Sequence, residues 1–318
     1  MKQLIFLFII LLLFSCEKGK TIRFAVCTDV HHDLIYDATN RIEKFIKVAE
    51  KEKVDFIIQL GDFCMPLEKN KPFLKVWNSF EGQKYHVLGN HDMDVSPKIV
   101  TQDFWGMEKS YYSFERGDFH FIVLDANFFK SGEKYVGYEN GNYFANLESR
   151  AYIPPQQINW LKKDISQTDK LVVVFSHQSL EHWGGIKNRT EIHRIFKEAN
   201  QKKKKVVACF CGHDHEDRYA EIDDVHHIGL NSLSYAWVGS KLEYSGRFPE
   251  SIEEKYPNLK YTLPYREPVF AMVEISSKGI LKIKGIQSDF IKPGPDELGA
   301  ENHHFSSKIT NRALTFYK

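Results

Sequence analysis

Five apolar runs in this chain each end in a short polar motif, always in the same strand-to-turn arrangement. Asp29-Val30-His31 follows the run 21–27, Gly61-Asp62 follows 54–60, and Gly89-Asn90-His91-Asp92 follows 84–88. His177 follows 171–176, and Gly212-His213-Asp214-His215 follows 206–211. Short apolar runs bounded by turn residues read as strands covered on both faces. The polar motifs therefore sit where the chain leaves a sheet and side chains two apart can converge. Together they supply four Asp, one Asn and five His. Almost all are oxygen or imidazole donors, a mixture that suits Mn, Zn or Fe. One Asn-His or His-x-His pair means little, but five donor motifs in succession constrain the chain strongly.

Between and after these runs, strands and helices alternate. Asp37 or Thr39 can cap an amphipathic helix to Lys51, and residues 111–115 and 119–124 read as a hairpin around Arg116-Gly117-Asp118. Pro154-Pro155 opens a helix to Ile165, and 190–200 is a further helical pattern. From Arg218 onward the pattern is all strand. The 318 residues are 42% hydrophobic and 27% charged with a net charge of +1, enough for one large core or two modest ones. That balance gives no electrostatic footprint for nucleic acid. The one basic run, Lys202–Lys205, reads as a solvated helix end. Cys27, Cys64, Cys209 and Cys211 lack zinc-site spacing and read as small buried hydrophobes, although an oxidising compartment would permit disulfides.

The start of the chain is of another kind. Lys2 precedes an apolar stretch, 4–14, and then Ser15-Cys16 and Glu17-Lys18-Gly19-Lys20. Eleven apolar residues fall short of the about 20 that span a bilayer, and the layout fits a secretory signal. Leu13-Phe14-Ser15-Cys16 resembles a bacterial lipobox, with Cys16 as the lipidated first residue. The expectation is an exported bacterial lipoprotein, on the periplasmic or cell-surface side of a membrane and tethered through Cys16. Residues 1–20 form signal and tether, 21–290 the folded domain, and 291–318 a C-terminal extension.

The order and wording of the five motifs resemble the calcineurin-like metallophosphoesterase superfamily over roughly residues 21–290. The resemblance implies an α/β fold: a four-layer αββα sandwich of two mixed β-sheets flanked by helices, with the site at strand carboxyl ends. It implies two divalent cations as cofactors, one held by Asp29, His31, Asp62 and His215, the other by Asp62, Asn90, His177 and His213. A shared Asp62 would keep the ions about 3.5–4 Å apart, where both can bind one phosphate. The implied chemistry is hydrolysis of a phosphate ester by a metal-bridging hydroxide. His91 would donate a proton to the leaving alcohol or stabilise the transition state, and Asp92 could hold its tautomer, although a plain turn role for Asp92 is equally open.

Departures narrow the subgroup. Gly61-Asp62 continues as Phe63-Cys64-Met65-Pro66, not as the Asp-Arg-Gly of protein serine/threonine phosphatases. Met65 stands where purple acid phosphatases carry a metal-binding tyrosine. Gln178-Ser179 after His177 lacks the proline-containing continuation of some cyclic-nucleotide phosphodiesterases. What is left is a phosphoesterase for a small phosphorylated substrate, with phosphodiesterase or nucleotide pyrophosphatase action on the same metals as the alternative. A non-catalytic surface binding protein on the same scaffold is the reading from another class, and retention of all seven ligands with His91 opposes it. Segments 131–150 and 241–268 are long for connections and read either as walls of a substrate cleft or as plain surface. His32, His182 and the pair His226-His227, one expected inward and one outward, read as structural or substrate-contacting. Lys187, Arg189 and Arg218 are the nearest cations to the motifs.

Overall fold

The computed structural model describes residues 21–145, 147–300 and 304–317. Cys16 and the segment 1–20 lie outside the described residues. Two six-stranded mixed sheets dominate. From edge to edge the first runs Arg312–Thr315, Ile280–Gly285, Ala271–Ser276, Thr21–Cys27, Phe56–Gln59 and Gln83–His86. The second runs Arg218–Ile222, Val225–Gly229, Val206–Cys211, Leu171–Phe175, Phe119–Val123 and Tyr112–Arg116. Thr21–Cys27, Phe56–Gln59 and Gln83–His86 are parallel, as are Phe119–Val123, Leu171–Phe175, Val206–Cys211 and Val225–Gly229.

The period-2 alternation of strand side chains explains the layering. Phe24 and Val26 point into a central apolar cluster, while Ala25 and Cys27 belong to a second cluster with Ile42, Phe45 and Trp77 of the helices Ala38–Lys51 and Lys71–Asn78. Across the molecule, Phe121 and Val123 face the centre. Ile122 and Val174 face a third cluster with Leu161 and Ile192 of Pro155–Gln167 and Arg189–Lys202. Three apolar layers separate four layers of secondary structure, the αββα sandwich. Phe24 stacks on Phe56 at 4.9 Å and meets Phe121, Phe175 and Phe210 edge-on at 6.0, 5.8 and 5.8 Å, so aromatic contacts join the sheets.

Residues beyond 290, set apart in sequence as an extension, complete this core. Arg312–Thr315 is the edge strand beside Ile280–Gly285, and Ile309 and Phe316 enter the central cluster. His226 and His227 are both buried, because their strand is covered on both sides; the expectation of one outward ring does not hold. The four cysteines 27, 64, 209 and 211 are buried free thiols. Among the described residues no helix is long and apolar enough to cross a membrane.

Candidate metal centre

All seven sequence-predicted donors come together where parallel strands end. Cys27 leads to Asp29, Gln59 to Asp62, His86 to Asn90, Phe175 to His177 and Cys211 to His213. In open α/β sheets this carboxyl edge is where ligands bind. Asp29, His31, Asp62, His213 and His215 all have φ between 48° and 72°, a left-handed backbone that non-glycine residues seldom adopt. Strain of that kind, repeated at five adjacent donors, is characteristic of functional sites. Close approach of the loops also demands glycine. A Cβ at Gly61 would lie 2.6 Å from Nδ1 of His177, and one at Gly212 would lie 2.5 Å from Oδ2 of Asp29.

The donors form two groups, Asp29 with His31 and His215, and Asp62 with His177 and His213, each with donor atoms within 4.8 Å of one another. Oδ2 of Asp29 accepts from the Thr28 hydroxyl at 2.6 Å and from the His213 amide at 3.0 Å. Among the described residues its Oδ1 is buried without a hydrogen-bond partner, 3.3 Å from Nε2 of His215. Oδ1 of Asp62 accepts the His91 amide at 2.8 Å, while Oδ2 lies between the groups, 3.7 Å from Nε2 of His31 and 3.2 Å from Nε2 of His177. Oδ1 of Asn90 is 3.2 Å from Nε2 of His177, whose ring also faces Nδ1 of His213 at 3.2 Å.

Backbone carbonyls set two of the imidazoles. Nδ1 of His177 is 2.7 Å from the Leu60 carbonyl and Nδ1 of His215 is 3.1 Å from that of Tyr235, so each donates there and turns Nε2 inward. Burial lowers the basicity of His31 to about 3 and of His213 to about 4. Burial acts the same way on His177, but the Asp62 and Asp29 carboxylates outweigh it and raise that ring to about 10. Asp29 and Asp62 both stay below the usual carboxylate range, since neighbouring histidines overcome their desolvation. An anionic, buried, multi-donor centre of this composition fits divalent cations, which compete with protons for the same nitrogen lone pairs.

His91 sits beside the centre, with Nδ1 2.8 Å from Oδ2 of Asp94 and 3.0 Å from the Tyr143 hydroxyl. That hydroxyl donates to Oδ1 of Asp94 at 2.5 Å, and the Asn90 amide reaches it at 3.3 Å. Asp92 does not touch His91, which corrects the expectation that it orients the ring. Its carboxylate turns into the protein and accepts the amides of Asp62, Phe63 and Gly89 at 2.9, 2.8 and 2.7 Å. Asp94 and Tyr143 are the residues that sequence reasoning missed.

Two clefts meet at the centre. One, of about 500 Å³, is lined by Leu34, Met65, Phe144, Tyr235 and Trp237 together with Asp33, Asp94 and Asp214. The other, of about 250 Å³, runs from Asn90 and His213 past Tyr143 to Arg150, Trp183 and Lys187. Segment 131–150 therefore frames the site, and segment 241–268 contributes Asn258 to the larger cleft. Of the other candidate cations, Arg218 is committed to Glu181 and Glu216, and Arg189 bonds the Ile186 carbonyl. His182 pairs with Asp214 at 2.6 Å, and His32 stacks on Phe73.

Sheet order, strand-end donors and paired clefts together define a dinuclear metal phosphatase architecture. The model of the calcineurin-like phosphoesterase family matches residues 22–217, and the chain belongs to that family. It is a metal-dependent phosphoric ester hydrolase whose cofactors are two divalent metal ions. A rice (Oryza sativa subsp. japonica) manganese-dependent ADP-ribose/CDP-alcohol diphosphatase is 24% identical over 229 residues, covering 58% of this chain and 70% of the relative. Among solved structures, a dimetal phosphatase from Danio rerio superposes with a TM-score of 0.58 at 14% identity, covering 85% of this chain and 98% of the other. GAP50, the anchor in the inner membrane complex of Plasmodium, does so with a TM-score of 0.53 at 17% identity, covering 94% and 90%. At those identities the structural likeness speaks to fold.

Proposed function

We propose that Asp29, His31, Asp62 and His215 hold one cation, that Asp62, Asn90, His177 and His213 hold the second, and that small phosphate esters are hydrolysed between the two clefts. The observation that carries this reading is the position of Asp62 Oδ2, in reach of imidazoles from both groups while Oδ1 is tied to the His91 amide. Two bound cations would acidify a water and neutralise phosphoryl oxygens. The chain's own part is orientation and proton transfer. Because Asp94 and Tyr143 occupy Nδ1 of His91, Nε2 is the nitrogen left to give a proton to a leaving oxygen. Turnover of mono- and diesters with added Mn²⁺, Zn²⁺ or Fe²⁺ tests the activity; no turnover of any ester with any of the three would overturn it. Asp62→Asn should abolish turnover and lower bound metal toward one ion or none, and two tightly bound ions with normal rate would overturn the ligand assignment. Diester or diphosphate cleavage on the same centre is the second reading, favoured by the diphosphatase activity in the rice relative's name.

Residues 21–290, with the strand beyond them, form the catalytic unit in this proposal, and residues 1–20 export and anchor it. Lys2, the apolar stretch 4–14 and Leu13-Phe14-Ser15-Cys16 support an exported bacterial lipoprotein held at a membrane by lipidated Cys16. Labelled fatty acid should enter the full chain in a bacterial host and be lost in Cys16→Ala. Absence of label from the unaltered chain would refute the anchor and leave the phosphoesterase reading intact.

A further inference from the structure

The two clefts at the metal centre differ in charge. Among the described residues that line the larger there is no Lys or Arg, while Asp33, Asp94 and Asp214 join its apolar and aromatic wall. The larger cleft thus offers a second anionic group no lining Lys or Arg to pair with. The smaller cleft carries Arg150 and Lys187 against one acid, Glu148. Neither cation is within ion-pair distance of a carboxylate among the described residues. Lys187 rests 4.1 Å over the ring of Trp183, which is 70% exposed, and Arg150 lies 6.0 Å from the ring of Tyr143.

Both cations sit on braced backbone. The Lys187 amide donates to the Ala151 carbonyl at 2.8 Å, and the Ala151 amide donates to the Tyr138 hydroxyl at 2.8 Å. Ala151 itself has a φ of 66°, a strained conformation held by these bonds. Gln178 lines the same cleft. Its Nε2 donates to Oδ1 of Asn127, whose own Nδ2 is fixed by the Leu88 carbonyl and Asp125, so the amide orientation is set. Among the described residues Oε1 of Gln178 is buried with no donor, an acceptor suited to a substrate hydroxyl and not to a phosphate oxygen.

We propose that Arg150 and Lys187 form a subsite for a second phosphate of the substrate, next to the one being attacked, so that the preferred substrates are organic diphosphates or vicinal bisphosphates. The proposal rests on the phosphoesterase reading of the metal centre and names the substrate class for it. Size agrees with charge. About 250 Å³ is below the about 300–1,000 Å³ of sites that enclose a whole drug-sized ligand. It accommodates a phosphate and its near substituents, and the apolar or aromatic remainder has the larger cleft. An arginine fork and a lysine ammonium are the usual pair for phosphate oxygens, and charge-assisted bonds of this kind are among the strong ones.

The test uses the Mn²⁺-loaded full chain and two inhibitors, methylenediphosphonate and orthophosphate, against turnover of p-nitrophenyl phosphate. Unaltered protein should bind the diphosphonate at least about 10-fold more tightly than orthophosphate. The double variant Arg150→Met/Lys187→Met should cut that ratio to about one, with the loss falling on the diphosphonate. Chelation of free Mn²⁺ is common to both proteins and cancels in the comparison. No preference in the unaltered protein, or equal weakening of both inhibitors in the variant, would overturn the subsite. Preference retained in a well-folded double variant would place the second anion elsewhere and overturn it too. Failure to turn over p-nitrophenyl phosphate or any other ester would instead strike the underlying reading, and calorimetric titration of the diphosphonate would still report on the subsite.

Discussion

Oδ2 of Asp94 lies 2.8 Å from Nδ1 of His91, three residues along one 3-10 turn, while Tyr143 closes the triangle from the distant 3-10 turn Asn142–Ala145. The carboxylate fixes which imidazole nitrogen faces the cleft, and the Tyr143 hydroxyl fixes the carboxylate. Partners of this sort typically contribute about 10–100-fold to the group they hold. Asp94→Asn is therefore expected to lower kcat by about 10–100-fold with little change in KM or metal content. Tyr143→Phe should lose less, because Asp94 retains its bond to the ring. A KM effect with unchanged kcat would assign Asp94 to substrate binding instead.

This relationship shows where sequence reading stopped. Asp29, His31, Asp62, Asn90, His177, His213 and His215 were legible because each follows an apolar strand, and parallel strands bring their carboxyl ends together. Asp92 was misplaced because adjacency in sequence is not adjacency in a turn. His91–Met93 is a 3-10 helix, in which residues three apart share a face and neighbours diverge. His91-x-x-Asp94 was the spacing to look for. Tyr143 had no such signal, since it arrives on a 3-10 turn 52 residues away. The edge strand Arg312–Thr315 was missed for a related reason: a short strand with one exposed face has no apolar run to betray it.

Asp92 has a structural task, and its removal should be felt in stability. Its side chain accepts three buried amides from the loops that carry Asp62 and Asn90. Burial and the nearby Asp62 charge raise its pKa, and the backbone donors pull against them. Asp92→Ala leaves those amides without an acceptor, at about 1–3 kcal/mol each before relaxation. Urea unfolding should show a loss of about 3 kcal/mol or more. His91→Ala, which strands no buried backbone group, should stay within about 1 kcal/mol in the same assay. Equal losses would deny Asp92 this role.

His86 makes the fold sensitive to acid. Its ring is buried and its Nε2 accepts the Trp77 indole N–H at 3.1 Å, so the neutral ring carries its proton on Nδ1 and a second proton, on Nε2, would face a donor. Burial, aided by Lys84, lowers its pKa to about 3. The unfolded ring takes up a proton near pH 6.5 and the folded ring does not, so the unfolded state binds more protons between those values. Stability from this group is complete above about pH 6.5 and falls as pH drops toward 3, by up to about 1.4 kcal/mol per unit. His86→Gln should flatten the fall in urea midpoint between pH 6.5 and 4.5. An unchanged slope would show that His86 is not the sensitive group.

The role given to His91 separates from metal binding through the leaving group. If Nε2 supplies a proton to the departing oxygen, its loss should matter most when that oxygen leaves poorly as an anion, as an alkyl alkoxide does. A nitrophenolate leaves without assistance, so an activated aryl phosphate should be spared much of the penalty. His91→Ala is expected to keep both metals, to lose about 10²–10⁴-fold on alkyl esters and to lose clearly less on nitrophenyl esters. The competing account is local distortion, because His91 follows Asn90 and its amide is tied to Asp62 at 2.8 Å. Distortion would lower both substrates alike and reduce metal occupancy. Elemental analysis beside the two rates decides between them, and equal losses with a missing ion would make His91 a scaffold for Asp62 in place of an acid.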